Sequence, residues 1–381
     1  MIAASPLVVR LTRGTVPDVV VLLVGGAIIG PSVLDLAAVE GGIGLLREVG
    51  LGLLFLIAGS EINPASLKSR QGHQAALTWV VCVVIGFGIG MVLIPQAAAL
   101  TAVVLALAIT STALGALLPI LKERGLMESR LGAAVLTHGA VGELGPVLVM
   151  ALLLGSRSTL VTAVVLVAFL VLALVVAVVP RAAVARIPWL RTAILDGMHG
   201  NRQTGMRLIF WVLLTLMAAA AIFELDVVLG AFAAGFILRQ AQPSSSHFLH
   251  ERVEVVAWSF LVPVFFVSSG ITIDVSAIRA QPLLLVAFVA MILAVRGGVV
   301  LVREQLGGTG SGLATFRERL QLGFYSAAGL PIIVAVTELA VSRDLMSAEI
   351  AAVLVAAGAV TLLLFPLLAR AVGPRQQPVL A

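Results

Sequence analysis

The sequence is poor in charge, in cysteine and in recognisable catalytic motifs. Asp, Glu, Lys and Arg make up only 11% of the 381 residues, whereas a soluble domain carries about a quarter. This scarcity excludes a large soluble domain, which needs a charged surface. The single cysteine, Cys82, excludes an internal disulfide framework. No nucleophile elbow, phosphate-binding loop or HExxH zinc motif occurs, so we expect neither an enzyme nor a bound cofactor.

Long apolar blocks are what the sequence has instead. It is 60% hydrophobic with a mean hydropathy of +1.15, and most blocks reach the ~20 residues with which a helix crosses a bilayer. Because a backbone in lipid must satisfy its own hydrogen bonds, the spans are helices. The sequence therefore predicts an all-α polytopic membrane protein with about 12 transmembrane helices. The predicted spans are residues 16–32, 46–62, 74–94, 98–121, 131–154, 159–180, 205–223, 227–240, 254–273, 282–302, 320–340 and 347–369.

The basic residues lie almost entirely on one side of the predicted membrane. Nineteen of the 24 Lys and Arg residues are in connections on the same side as the N-terminus. Cytoplasmic loops carry the excess of Lys and Arg, so we expect a bacterial cytoplasmic membrane protein with both termini in the cytoplasm. The positive net charge then reflects topology and not a nucleic-acid surface. The basic residues on the opposite side are Arg47, Arg157, Arg279 and Arg343.

Two distant stretches of the chain resemble each other. FLIAGSEINPASL, at 55–67, aligns with FFVSSGITIDVSAI, at 265–278, when Gly59 is placed on Gly270. An odd number of predicted spans separates the two copies, so the second is inverted in the membrane, as in secondary transporters. We expect a single transporter domain over 1–381 without a soluble regulatory domain. Its inverted repeats are predicted at about 16–154 and 227–369, joined by spans 6 and 7 at about 159–223.

The fourth and eleventh predicted spans carry matched features that interrupt helices. The fourth has Thr110, Ser111 and Thr112 at its middle, and the eleventh has Ser326. Glycine and proline loosen a helix there, and hydroxyl groups can satisfy the freed backbone groups. The alternative is that these hydroxyls simply bond to their own helix. The sequence predicts discontinuous helices 4 and 11 beside the substrate site. The glycine and proline residues assigned to these breaks are Pro119, Gly329 and Pro331.

A carboxylic acid, Glu143, lies at the middle of the fifth predicted span. A charge at the bilayer centre costs roughly 2.5–3.5 kcal/mol on insertion scales, so this group faces a hydrated cavity, pairs with a cation or binds a proton. A carboxylate that holds either H⁺ or a monovalent cation is the minimum machinery of cation/proton exchange. A permanent ion pair or a protonated core residue is the alternative. We predict that Glu143 and Thr110–Thr112 bind the cation and the proton.

Other ionisable residues are assigned supporting or structural roles. Arg296, in the tenth span, remains charged and is either a counter-charge to Glu143 or a tether for carbonyl groups of a broken helix. We expect its contact with Glu143 to be indirect or state-dependent. His138 stands about 140° from Glu143 around the helix, which favours a packing role. His247 and His250 lie in a predicted loop without a further ligand at a recognised spacing, so we expect no metal beyond the transported cation.

Five segments, in the correct order, resemble the monovalent cation:proton antiporter family, especially its bacterial sodium/proton and potassium-efflux branch. They extend over nearly the whole chain. The segments are GGAIIGPSVLDL (25–36), LGLLFLIAGSEINPASLK (51–68), AITSTALGALLPILKERG (108–125), LGAFAAG (229–235) and PVFFVSSGITID (263–274). The resemblance implies that Na⁺ or K⁺ is exchanged for H⁺ by a homodimer in the lipid bilayer, with a mobile core formed by spans 3–5 and 10–12.

The resemblance also implies roles for single residues. It places Glu143 at the ion-binding carboxylate of the family, Thr110–Thr112 at the crossover of helix 4, and Arg296 at the basic residue of helix 10. Gly142 departs from the pattern, because many members carry Asp, Asn or Gln at this position. A single carboxylate implies electroneutral exchange. The extra N-terminal helix of many members and the nucleotide-binding domain of some potassium-efflux relatives are not expected here.

Three functions stay open at this point. Retained Glu143 and Arg296 and the two broken helices favour an antiporter. Gly142 favours a non-transporting membrane sensor or regulatory subunit of the same fold. A sodium-coupled symporter of organic anions is the third, and twelve spans with a carboxylate at the midplane fit it less well. The sequence does not decide between Na⁺ and K⁺.

Overall fold

The protein is built of helices throughout the part of the chain that the structure describes. This structure is a computed structural model, and it describes residues 2–11, 16–93, 99–153, 159–186, 203–241 and 248–373. The all-α prediction is confirmed. The α-helices are α1 (Ser5–Leu11), α2 (Asp18–Ile29), α3 (Gly42–Glu61), α4 (Pro64–Lys68), α5 (Arg70–Leu93), α6 (Ala99–Thr110), α7 (Leu114–Glu123), α8 (Arg130–Leu153), α9 (Thr159–Arg186), α10 (Thr204–Ile222), α11 (Val227–Ala241), α12 (Phe248–Val256), α13 (Val262–Ile271), α14 (Val275–Ala280), α15 (Pro282–Ile292), α16 (Val299–Leu306), α17 (Phe316–Ala327), α18 (Pro331–Ser342) and α19 (Ala348–Val372).

Each of the twelve predicted spans coincides with a helix or a helix pair. Among the described residues, nine helical stretches are long and apolar enough to cross a membrane. The first, sixth and eighth predicted spans coincide with shorter apolar helices, in α2, α9 and α11. The chain is therefore a multi-pass membrane protein, while the number of twelve crossings stays a prediction. Arg157 and His247 lie outside the described residues.

The chain forms two compact units. The first consists of Met1–Ala38, Pro64–Pro146 and Ser269–Ala381, and the second of Val39–Asn63 and Val147–Ser268. The first unit contains Glu143, Arg296 and both interrupted helices, so the groups of the candidate site belong to one compact body. The prediction of one transporter domain with inverted repeats stays a prediction.

Both interruptions predicted from the sequence are present. Helix α6 ends at Thr110 and α7 begins at Leu114, whereas α17 ends at Ala327 and α18 begins at Pro331. Proline suits the first position of a helix because its missing N–H has no partner there. The two breaks cross, because the Ala113 amide donates to the Ala328 carbonyl at 2.8 Å. The prediction of discontinuous, crossing helices is confirmed.

Two of the break residues assigned from the sequence occupy different places in these helices. Gly329 lies within the interruption between α17 and α18, two residues before Pro331, which begins α18. Pro119, however, lies inside α7, after the break. The break falls at 111–113 because hydroxyl side chains there replace the lost backbone bonds, as described below. Pro119 therefore does not form the break itself.

The two glycines aligned in the repeat both allow close contact between helices. In the second unit, a Cβ on Gly59 of α3 would lie 2.2 Å from the Phe232 carbonyl oxygen of α11. In the first unit, a Cβ on Gly270 of α13 would lie 2.1 Å from the Leu23 carbonyl oxygen of α2. Neither position has space for a side chain. These matching contacts, between spans 2 and 8 and between spans 9 and 1, support the inverted repeat.

The tenth span is α-helical at both ends and π-helical in the middle, at Leu293–Gly298. This π-helical turn carries Arg296 and is followed by α16. Single π turns within α-helices are frequent at functional sites. Gly297 faces Gly323 of α17, and a Cβ on either would lie within about 3 Å of the other's carbonyl oxygen. This close approach positions Arg296 beside the broken eleventh span.

Candidate ion-binding site

Glu143 lies against the beginning of a half-helix. Helix α8 buries the residue to 3% exposure, and its Oε1 accepts a hydrogen bond of 3.0 Å from the amide of Leu114, the first residue of α7. The first amides of a helix have no partner within it, and the aligned peptide dipoles place partial positive charge at this end. A negative carboxylate is therefore stabilised where the break in span 4 exposes the start of α7.

The second oxygen of Glu143, Oε2, differs from the first in its bonding. Among the described residues, Oε2 is buried and has no hydrogen-bond partner. A buried polar atom without a partner costs about 1–3 kcal/mol, which a proton, a cation or water would relieve. The carboxylate thus has one oxygen positioned by the backbone and one oxygen available to a ligand.

The three hydroxyl groups of the span-4 break are buried and differ in their partners. Thr110 Oγ1 donates to the Ala106 carbonyl at 2.7 Å, and Ser111 Oγ donates to the Ala108 carbonyl at 2.9 Å. These two bonds lie within their own helix, as the alternative reading of the sequence expected. Thr112 differs, because its Oγ1 donates across the break to the Ser326 carbonyl at 2.6 Å. Only the Thr112 hydroxyl therefore links the two interrupted spans.

Arg296 is fully buried and tethers this crossing. Its Nε and Nη2 lie 3.3 and 3.2 Å from Thr112 Oγ1, and Nη2 donates to the His138 carbonyl at 2.8 Å. Nη1 lies 4.0 Å from Cys82 Sγ. In the described part of the chain, the structure gives no ion pair between Arg296 and Glu143. The sequence leaves two roles open for Arg296, a counter-charge to Glu143 or a tether for carbonyl groups of a broken helix. Its observed bonds correspond to the tether.

Gly142 has no side chain because Arg296 and Thr112 occupy the space where one would lie. A Cβ on Gly142 would come within 2.5 Å of Thr112 Oγ1 and 2.8 Å of Arg296 Nη2. The Gly142 carbonyl also accepts a bond of 3.1 Å from the Thr112 amide. An Asp, Asn or Gln at this position would therefore require the guanidinium or the break to move. The departure from the family pattern has a local structural cause.

The span-11 break is held by small residues and a threonine. A Cβ on Gly329 would lie 2.9 Å from the Ser111 carbonyl oxygen, so glycine permits the two breaks to touch. Thr361 of α19 donates from Oγ1 to the Gly329 carbonyl at 3.2 Å. Ser326 Oγ is buried and, within the described ranges, unbonded. The Ser326 hydroxyl is therefore a further oxygen at the crossing of the two breaks, at the middle of the eleventh span as the sequence predicts.

One buried acidic residue near the site was missed by the sequence interpretation. Glu304 of α16 is 3% exposed, and its Oε1 lies 3.8 Å from Nε2 of His138, which is equally buried. Hydropathy placed the end of the tenth span at residue 302, but the helix continues to Leu306. The helix-terminating glycines at 307 and 308 were the available signal. His138 therefore has an acidic partner in addition to its packing role.

The sequence of the whole region matches one known family. The family model described as "Sodium/hydrogen exchanger, transmembrane" matches residues 1–370. The chain belongs to this family. Among the described residues, no three His, Cys, Asp or Glu side chains are grouped as a metal centre. The side chain of His250 lies outside the described residues.

Individual relatives are similar over most of this chain. YjbQ of Bacillus subtilis (strain 168), provisionally named an Na⁺/H⁺ antiporter, is 28% identical over 309 residues, which cover 76% of this chain and 49% of YjbQ. The high-affinity Na⁺/H⁺ antiporter NhaS3 of Synechocystis sp. is 28% identical over 295 residues, which cover 74% of this chain and 62% of NhaS3. The matched region therefore spans about half to three-fifths of these relatives.

A solved structure shares the fold. The sodium proton antiporter MjNhaP1 from Methanocaldococcus jannaschii superimposes with a TM-score of 0.63, covering 97% of this chain and 94% of that chain at 17% sequence identity. The predicted family resemblance is confirmed by the family match, and the antiporter fold by this structure.

Proposed function

We propose that the protein is a secondary active antiporter that exchanges Na⁺ or K⁺ for H⁺ across the bacterial cytoplasmic membrane by alternating access. The observation that carries this proposal is the state of Glu143. Its Oε1 is held by the start of α7, and its buried Oε2 has no partner in the described chain. NhaS3 and MjNhaP1 are named as sodium/proton antiporters, which supports the same activity here.

The geometry explains how one carboxylate serves two ions. A proton on Oε2 makes Glu143 neutral, whereas an unprotonated carboxylate attracts a monovalent cation. The proton and the cation therefore compete for the same oxygen. At either side of the membrane, one of them is released from the carboxylate and the other is bound. Hard cations are bound by carboxylate, carbonyl and hydroxyl oxygens, and we assign Thr110, Ser111 and Thr112 as the supporting oxygens. One carboxylate exchanges one charge for one charge, so the exchange is electroneutral.

Arg296 leaves the carboxylate available. A guanidinium paired directly with Glu143 would neutralise the site and exclude the cation. Here the bonds of Arg296 go to Thr112 and to the His138 carbonyl instead, which holds its charge at the crossing. Its positive charge lies near the C-terminal end of α17, where helix dipoles favour cations.

Further properties belong to the same proposal. Both termini are placed in the cytoplasm, on the distribution of Lys and Arg. The protein is proposed to work as a homodimer, to bind no cofactor and not to be an enzyme. A regulatory sensor or an organic-anion symporter remains an outcome of the test. The main feature in favour of a sensor, Gly142, is accounted for by the position of Arg296.

The proposal is tested by cation-driven proton flux in proteoliposomes. Addition of Na⁺ or K⁺ collapses a preset pH gradient in the wild type, and Glu143→Gln abolishes this flux because the amide does not exchange a proton. Glu349→Gln is the matched control, since Glu349 is an exposed glutamate at the start of α19. If neither ion moves protons with folded wild-type protein at any pH, the antiporter proposal is wrong.

A further inference from the structure

A second pair of titratable groups is buried near Glu143. His138 of α8 and Glu304 of α16 are each 3% exposed, with 3.8 Å between Nε2 and Oε1. A buried carboxylate and imidazole together cost free energy unless they are paired or share a proton. The mechanism proposed above uses neither residue, so this pair needs a separate explanation.

The pair has unused polar atoms as well as bonded ones. Within the part of the chain that the structure describes, His138 Nδ1 and Glu304 Oε1 have no hydrogen-bond partner, and neither has Glu143 Oε2. Buried polar atoms of this kind are normally satisfied by water or by a transferred proton. Glu143 follows His138 by five residues in α8, which sets them about 7.5 Å apart along the helix axis and about 140° apart around it, so a proton passes between their side chains through water and not directly.

The outer end of the pair reaches an exposed loop. Glu304 Oε2 accepts hydrogen bonds from Thr309 Oγ1 at 2.9 Å and from Ser311 Oγ at 2.5 Å. Both hydroxyls belong to the loop 307–315, in which Gly307, Gly308 and Gly310 are exposed and have positive φ. The buried carboxylate is therefore connected directly to a segment at the protein surface.

We propose that His138 and Glu304 form a proton-transfer pair that connects Glu143 with the aqueous side at the loop 307–315. This inference rests on the proposed antiport and names the groups through which its protons travel. A hydronium ion at the loop gives its proton to the pair, which holds it as the imidazolium of His138, and water is left behind. The proton then passes to the Glu143 carboxylate as the imidazole becomes neutral again. The reverse sequence releases it. No other bond changes.

The surrounding charges are compatible with this role. The groups that act on His138 are Glu304 and Arg296, and Cys82 of α5 contacts the same guanidinium. Arg303, next to Glu304, donates to Gln74 of α5 at 2.7 Å. One acidic and one basic group thus face the imidazole, so a change in either group alters the stability of its charged form.

Substitution of either member tests the inference through the pH profile. In proteoliposomes, His138→Gln lowers exchange by about tenfold at alkaline pH, where protons are scarce, and much less at acid pH, with an unchanged cation KM. Glu304→Gln lowers the exchange rate with the same pH dependence, and Glu304→Asp restores part of the wild-type pH profile. The bond of Arg296 goes to the backbone carbonyl of His138, so the substitution leaves that tether in place. His73→Gln, at an exposed histidine of α5, leaves the profile unchanged.

A second measurement does not depend on transport. The chain has five histidines, and NMR of ¹⁵N-histidine in purified protein identifies the His138 signal by its loss in His138→Gln. We expect this imidazole to titrate, and its midpoint to move in Glu304→Gln. If His138 does not titrate, or if His138→Gln lowers the exchange rate by the same factor at every pH, the pair is only structural and the inference is wrong. If His138 titrates but the wild type shows no exchange, the proposed antiport fails while the proton-binding pair stands.

Discussion

The first unit contains two buried glutamates whose surroundings differ. Glu143 is bonded through one oxygen to a backbone amide, and its other oxygen has no partner among the described residues. Glu304 is held through Oε2 by two hydroxyls and faces a histidine through Oε1. Hydroxyls and imidazole transfer protons readily, whereas a backbone amide exchanges its proton only slowly. This difference agrees with the proposals that Glu143 takes a ligand and that Glu304 passes a proton.

This difference comes from what lies in front of each carboxylate. Glu143 faces the start of a helix, where fixed dipoles stabilise negative charge without neutralising it. Glu304 faces side chains that rotate and that carry protons of their own. Burial alone therefore does not identify the proposed ion-binding residue, because both side chains are buried. The bonding of the second oxygen distinguishes them.

The largest expected effect concerns the length of each carboxylate side chain. Glu143→Asp withdraws the carboxylate from the Leu114 amide by one methylene, and we expect exchange to fall about a hundredfold, as for other misplacements of about 1 Å. Glu304→Asp should retain most of the activity, because rotatable hydroxyls of Thr309 and Ser311 can follow it. Initial rates of cation-driven proton flux measure both. Equal losses in the two variants would contradict the assigned difference.

The next effect concerns the space beside Glu143. Gly142→Ala places a methyl group against Thr112 Oγ1 and Arg296 Nη2, and overpacking of this kind costs about 2 kcal/mol. We expect a lower midpoint of unfolding in mixed micelles and a reduced exchange rate. Gly88→Ala is the control, because a Cβ on that exposed glycine of α5 meets nothing within 4 Å. Equal stability of the two variants would show that the guanidinium moves aside freely.

A smaller effect is expected from the hydroxyl that joins the two broken spans. Thr112→Val removes the donor to the Ser326 carbonyl and the acceptor for Arg296, with an expected loss of about 1–3 kcal/mol in the free energy of unfolding. Thr112→Ser keeps the hydroxyl and should lose much less. The free energies of unfolding of the Thr112→Val and Thr112→Ser variants, measured in mixed micelles, distinguish the two substitutions. An unchanged valine variant would mean that Thr112 does not hold the crossing.

The smallest expected effect is on the Glu304 side of the comparison. Ser311→Ala removes one of two hydroxyl donors and should cost about 1 kcal/mol without abolishing exchange, since Thr309 still bonds the same oxygen. Ser342→Ala, at an exposed serine bonded within its own helix, is the reference. A complete loss of exchange in Ser311→Ala would place Glu304 in the ion-binding site itself.

Several features of the site could be read from the sequence because they follow from local chemistry. A run of three hydroxyl residues in an apolar span, and a Gly-Leu-Pro step in its counterpart, mark interruptions of the helical hydrogen-bond pattern. A lone carboxylate in a long apolar block marks a functional position because its burial is costly. These signals identified the two breaks and Glu143. Pro119 was a weaker signal, since it lies within α7 beyond the break.

Other features depended on distant neighbours. The tenth span was ended at residue 302 because hydropathy falls there, so Glu304 was not assigned to the membrane. Its burial requires His138, 166 residues earlier in the chain, together with the loop that follows it. Likewise, the sequence alone suggests that position 142 has lost an ion ligand. The structure shows that Arg296 occupies the space that a side chain at this position would need.

The sequence by itself determined that this chain is a multi-pass helical protein, that spans 4 and 11 are broken, and which carboxylate lies at their depth. These properties depend on hydropathy and on backbone bonding, which act over a few residues. Only the tertiary structure decided that Arg296 bonds to Thr112 and a carbonyl, and that Glu304 faces His138. Such pairings depend on which residues the fold brings within 3–4 Å, and no local pattern encodes that distance.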